Sequence, residues 1–193
     1  MSVGESVWKL CEDLNKRHPT QLQHCHIVFV SNDQRTVPLI AKVVVLESQF
    51  NVLFQDYHVL FLYNPDDRCL VYDLDSELPF PTHFHKYVTE TFRTDHILKP
   101  EYFRYFRVVP APLFLQHFAS DRRHMKRADG SWIHPPPNYP SISNPGEEII
   151  LILLRAMCNN MDDKKKAWIV YVCCANTFEM DEKKYCFFFV KEA

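Results

Sequence analysis

Only three of the 193 residues are glycine: Gly4, Gly130 and Gly146. A dinucleotide-binding turn or a phosphate-cradling loop needs several glycines in one short stretch, so that backbone can approach phosphate closely. Neither can be written with those positions, and nucleotide chemistry of those two kinds is excluded. The chain is 47% hydrophobic and 14% aromatic, enough to bury a core, and its length suits one domain. Lys plus Arg number 22 against 24 for Asp plus Glu, a net charge of −2. Such a balance lacks the electrostatic footprint of a nucleic-acid or anionic-membrane binder, so neither partner is expected. A monomer is the expectation.

The seven cysteines, at 11, 25, 69, 158, 173, 174 and 186, are odd in number, sit among apolar neighbours and contain no CxxC pair. They read as reduced, mostly buried thiols, with no structural zinc and no cofactor implied. The N-terminal stretch is too polar for a secretory signal, and the aliphatic runs at 149–154 and 167–175 fall short of a spanning helix. The expected compartment is the cytosol, or cytosol and nucleus.

Val7, Leu10, Cys11 and Leu14 recur at helical spacing and predict an amphipathic helix over about residues 5–17. Strands are predicted at 26–30, 37–46, 57–63 and 69–74, each β-branched or aromatic and bounded by turn residues. Residues 82–93 return to helical period, with Phe84, Tyr87, Val88 and Phe92 on one stripe. Residues 102–109 and 112–117 are apolar and mixed, and the proline-rich stretch 119–146 predicts an ordered covering loop. This is an α+β pattern, an antiparallel sheet flanked by helices in an α/β sandwich. A domain over residues 1–146 is followed by a divergent tail, 147–193, part of the same domain or packed on it, with a helix at 149–157 and a strand at 167–173.

The chemistry-bearing stretch is Asp56-Tyr57-His58-Val59 followed by Tyr72-Asp73-Leu74-Asp75, joined through the turn signal Asn64-Pro65-Asp66-Asp67. A hairpin centred on Pro65 and Asp66 places His58 directly opposite Asp73 on one face. A carboxylate there fixes the imidazole tautomer and leaves the other ring nitrogen as a base. A purely structural hydrogen bond is the competing reading. The same register makes Asp56 face Asp75. Two facing carboxylates suit a cation between them, such as a substrate α-ammonium; the alternative is solvated strand ends, or pairing with Arg122 or Arg123.

Weaker features are the pairs His24/His26 and His83/His85, read as structural and not as metal ligands. The aromatic–basic stretches 102–107 and 122–127 are read as solvated faces and arginine packing, not as a nucleic-acid surface.

Taken as phrases, several segments resemble the protein N-terminal glutamine amidohydrolases, a family named for a Trp-Asp-Tyr-His-Val motif. The matching stretches are Val7-Trp8-Lys9-Leu10-Cys11-Glu12, Val28-Phe29-Val30-Ser31-Asn32 and Asp56–Val59, then residues 72–81, 118–125 and 130–140, in family order. The resemblance implies a papain- and transglutaminase-like thiol-hydrolase core with a Cys–His–Asp triad. It also implies conversion of N-terminal Gln to Glu with release of ammonia, the new Glu being open to arginylation that marks a protein for degradation. Proteins or peptides beginning with Gln would be the partners.

By that resemblance His58 is the triad histidine and Asp73 its orienting aspartate, while Asp56 and Asp75 are candidates for the α-ammonium. The family's nucleophilic cysteine falls at Val3, five residues before Trp8, and Cys11 matches a second, non-nucleophilic cysteine. Gln55 replaces the motif tryptophan, and residues 41–51 depart from the family pattern. Three readings follow: a family member whose attacker is missing, a non-catalytic binder of N-terminal Gln peptides (a truncated or spliced form, or a pseudoenzyme), or an unrelated thiol hydrolase using Cys11.

Overall fold

The computed structural model describes residues 3–39, 53–66, 68–93, 95–120, 122, 125–133 and 135–143. The helix and strand expected in the tail, residues 40–46 of the strand expected at 37–46, the whole departure at 41–51 and Arg123 lie outside the described residues.

Helix α1 spans Val3–Arg17, beginning two residues earlier than its apolar stripe requires. Glu5 lies in its first turn and Lys16 and Arg17 in its last, matching the helix dipole at both ends. Lys9–Glu12, Lys16–Glu12 and Arg17–Asp13 add ion pairs at i,i+3 and i,i+4 on the outer face. Val7 and Cys11 are buried on the inner one.

A 3₁₀ turn at Gln21–His24 leads into β1 (Cys25–Ser31). Strands β2 (Val37–Leu39) and β3 (Leu53–Gln55) form a small antiparallel pair. The main sheet adds β4 (His58–Tyr63), β5 (Leu70–Tyr72), β6 (Thr82–His83) and β7 (Tyr105–Pro110). Its order is β6-β5-β4-β1-β7, antiparallel throughout.

Side chains alternate across this sheet and define two cores. Ile27, Phe29, Val59, Phe61 and Val109 face α1 and helix α3 (Ala111–His117). Val28, Val30, Leu60, Leu62 and Val71 face β2, helix α2 (Phe84–Tyr87) and the π-helical turn Val88–Phe92. The register keeps the faces consistent: Ile27 pairs with Phe61 on one side and Val109 on the other. Each fully buried Val, Leu, Ile or Phe side chain contributes about 1.5–3 kcal/mol. Phe114 anchors the first core, 5.9 Å from the Phe29 ring and 4.8 Å from that of Phe118.

The single helix expected over 82–93 is instead three short pieces. Thr82 and His83 pair with Val71 and Leu70 as the edge of the sheet, and the chain then makes one α-turn and one π-turn. The wider turn has a packing reason. Tyr87 and Phe92 are five residues apart, which in an α-helix separates them by about 140°. The π-turn, closed by Arg93 N–H donating to Val88 O, brings both rings into the second core, 5.6 Å apart. The mixed apolar stretch resolves into β7 and α3, while the described part of 119–143 is loop.

Candidate active site

His58 opens the central strand β4, where its backbone pairs with Val30 of β1. Its Nε2 lies 3.0 Å from Asp73 Oδ2, and the two side chains are 0% and 1% exposed. A carboxylate only accepts, so Nε2–H donates to it and the lone pair of the neutral ring sits on Nδ1. The sequence pairing of these two residues is therefore met, though not through the register that suggested it.

The observed ladder pairs Phe61 with Tyr72, Leu62 with Val71 and Tyr63 with Leu70. This is two residues out from the expected hairpin, because the connection uses residues 64–69: Asn64 N–H donates to His24 O, and Cys69 is buried. A slip of two leaves every side chain on its original face, where a slip of one would have reversed them. Asp73 lies just past the end of β5, in a turn where Asp75 N–H donates to Asp73 Oδ1 at 3.0 Å. From there its carboxylate reaches His58 on the diagonal.

The facing pair Asp56/Asp75 is corrected by the same register. Asp56 precedes β4 and Asp75 follows β5, so no ladder opposes them, and both are exposed. Only Asp75 stays with the dyad: one donor atom each of His58, Asp73 and Asp75 lie within 4.8 Å of one another. That spacing is within reach of a divalent cation, but Asp73 Oδ2 already accepts from His58 and from Tyr87. Neither His24/His26 nor His83/His85 belongs to such a group among the described residues.

Arg122, expected as a partner for Asp56 or Asp75 if those are not substrate ligands, pairs with Glu5. Its Nε and Nη2 donate to Glu5 Oε1 and Oε2 at 2.7 and 3.1 Å, its Nη1 donates to Tyr139 O, and Tyr139 Oη donates to Glu5. Burial would raise the Glu5 carboxyl, but hydrogen bonds from Arg122 and Ser120, the Arg122 charge and Tyr139 hold it below the usual glutamate range. This cluster fastens the 119–143 loop to the first turn of α1, where Val3 sits. Arg104, from the aromatic–basic stretch, is also inward: it donates to Phe92 O and Pro38 O and stacks on the Phe92 ring.

Two contributors carry no signal of their role in the sequence. Tyr87 donates to Asp73 Oδ2 at 2.6 Å, yet in sequence it is one more apolar member of a stripe. Glu5 is fully buried, yet in sequence it is an acidic residue of a first helical turn, where exposure is usual. Gln55 lies on β3 with its Oε1 buried and unpartnered among the described residues.

Cys11 is fully buried and its thiol is pushed far up, by desolvation first and by neighbouring Cys25 second. Cys25 opens β1 opposite Tyr63, whereas His58 lies opposite Val30. The two ends are five residues apart, roughly 17 Å along the strand. Val3 opens α1 and packs against the core that contains Val59.

A model of the family described as N-terminal glutamine amidase matches residues 3–179, which corrects the expectation of a tail divergent from residue 147 onward: the family match runs through most of it. The chain is similar to proteins named "Protein N-terminal glutamine amidohydrolase" from Drosophila mojavensis, Drosophila ananassae and Drosophila virilis. Each is 58% identical over 139 residues, covering 72% of this chain and 67% of the relative. No helix among the described residues is long and apolar enough to cross a membrane. With the family match spanning nearly the whole sequence and the His58–Asp73 dyad assembled, the chain belongs to the N-terminal glutamine amidase family.

Proposed function

We propose that this chain is a protein N-terminal glutamine amidohydrolase in fold and site, with His58 as general base, Asp73 as its orienter and Val3 in the place of the attacking cysteine. The observation that carries the reading is the buried 3.0 Å hydrogen bond between His58 and Asp73 at the end of the central strand. A papain- and transglutaminase-like core is the finer form of the fold, supported by a helix packed on the antiparallel sheet that carries the histidine.

In the complete reaction a cysteine at position 3 gives its proton to His58 Nδ1 and attacks the side-chain carboxamide carbon of the N-terminal Gln. The tetrahedral intermediate collapses as His58 returns the proton to the departing nitrogen, releasing ammonia and leaving a thioester. Water, deprotonated by His58, then hydrolyses the thioester to glutamate and regenerates the thiol. The first turn of α1 favours the thiolate through its dipole and unpaired N–H groups. Asp75, exposed and within 4.8 Å of the dyad, suits the α-ammonium of the substrate better than Asp56 does.

Val3 favours a second reading for the unmodified chain, a binder of N-terminal Gln peptides that does not turn them over. A thiol hydrolase working through Cys11 is disfavoured by that thiol's burial and raised pKa. The cytosol, or cytosol and nucleus, is the proposed setting, in keeping with the buried free thiols of Cys11 and Cys25.

The test is ammonia release from a Gln-initiated peptide by the chain itself, by Val3→Cys and by Val3→Cys/His58→Ala. Turnover restored by Val3→Cys and abolished with His58→Ala is expected. Turnover by the unmodified chain that Cys11→Ser stops would overturn the assignment. A folded Val3→Cys protein that binds the peptide without turnover would leave binding as the function.

A further inference from the structure

Asp73 Oδ2 accepts two side-chain hydrogen bonds, from Tyr87 Oη at 2.6 Å and from His58 Nε2 at 3.0 Å, while Oδ1 accepts the Asp75 N–H at 3.0 Å. We infer that Tyr87 is a positioning residue of this site: by donating to the same carboxylate oxygen as His58, its hydroxyl holds the Asp73 carboxylate toward the imidazole and takes a share of the charge that His58 would otherwise meet alone. The inference rests on the reading of His58 and Asp73 as base and orienter.

The chemistry follows from sharing one acceptor. An O–H···O⁻ contact of this length is a charge-assisted hydrogen bond, the strong kind, and it draws electron density from the oxygen that faces His58. Removing that donor leaves more of the carboxylate's charge on the oxygen that His58 faces, and a carboxylate so placed favours a protonated ring more. Tyr87 is fitted to do this permanently. Burial, and then the charge of Asp73, push its phenol well above the ordinary value, so it remains a donor wherever the protein is folded. The ring is 1% exposed, packs edge-on against Phe92 at 5.6 Å, and lies beside Thr91 one turn on. It has no room to swing away. His58 and Tyr87 both reach this oxygen, and Asp75 lies at the rim with its charge also reaching Tyr87.

Tyr87→Phe removes one oxygen and leaves the ring packing. The experiment is a ¹⁵N-histidine NMR titration of the chain as it stands, with the His58 signal identified by its loss in His58→Gln. The His58 midpoint is expected to rise by roughly half to one pH unit in Tyr87→Phe. Placing 3,5-difluorotyrosine at 87, a stronger donor of the same shape, is expected to lower it. An unmoved midpoint, or shifts of the same sign in both, would overturn the inference, and the fluorinated form decides it if Tyr87→Phe does not fold. In the Val3→Cys protein the acidic limb of the kcat/KM profile is expected to move with the NMR midpoint. Failure of the amidase reading would appear separately, as no turnover in Val3→Cys while the titration shifts persist.

Discussion

Glu5 and Arg122 stand 117 positions apart in sequence and form a two-pronged ion pair, with Arg122 Nε 2.7 Å from Glu5 Oε1 and Nη2 3.1 Å from Oε2. Through it the loop after α3 grips the first turn of α1, the turn that carries Val3. Tyr139, from further along that loop, donates to the same carboxylate and stacks on the Arg122 guanidinium.

Breaking this pair from one side leaves a charge buried. Glu5→Ala is expected to destabilise the fold by about 3 kcal/mol, since the cost lies mainly in the stranded guanidinium. Urea unfolding followed by tryptophan fluorescence measures it. Glu5→Leu/Arg122→Met should lose clearly less than the sum of the single changes, whereas simple additivity would show that the pair is not coupled.

The same carboxyl makes stability depend on pH in one direction. Its folded-state pKa lies below the ordinary value of 4.5, so the unfolded chain takes up a proton first as the medium is acidified. The Glu5 contribution is therefore fully present above about pH 4.5 and is lost as pH falls through the lower folded-state value. Urea midpoints from about pH 7 down to about pH 3 should show this fall, and Glu5→Gln should flatten it. Equal acid slopes in both proteins would count against the pair as its source.

Asp73→Asn in the Val3→Cys background keeps the shape of the site but presents a group that can also donate to Nε2. The imidazole is then free to adopt the tautomer with its proton on Nδ1, the wrong nitrogen for a base. Ammonia release is expected to fall by roughly 10³–10⁴-fold with little change in stability. A loss under tenfold would mean that Asp73 is a structural partner only.

Cys11 and Cys25 should resist alkylation in the native state. Both thiols are buried and shifted up, Cys25 to about 12, so almost no thiolate exists at neutral pH. Iodoacetamide labelling with mass mapping, before and after urea, should show both cysteines modified only after unfolding. Rapid native labelling of Cys11 would reopen it as a nucleophile.

Gln55→Leu is expected to stabilise the fold by about 1 kcal/mol, because it removes a buried amide oxygen that has no partner among the described residues. Thermal unfolding measures it. A loss of stability would reveal a partner for that oxygen in the native protein.

The local half of this protein was legible in its sequence. The apolar stripe of α1, the strand character of 26–30 and 57–63, and the meeting of His58 with Asp73 all follow from periodicities of 3.6 and 2. The dyad survived an error of two in the hairpin register because the side-chain period of a strand is two. The Asp56/Asp75 pairing did not survive, since it needed strands that run on to those residues, and they stop at His58 and Tyr72. Tertiary structure alone decided the rest. Whether 82–93 is one helix depended on where two aromatic rings must point, and only the core they enter sets that. Glu5 became a buried partner of Arg122, and Tyr87 a donor to Asp73, through contacts between segments distant in sequence. Such contacts have no period in the chain, because their geometry exists only once the sheet and both of its covering layers are in place.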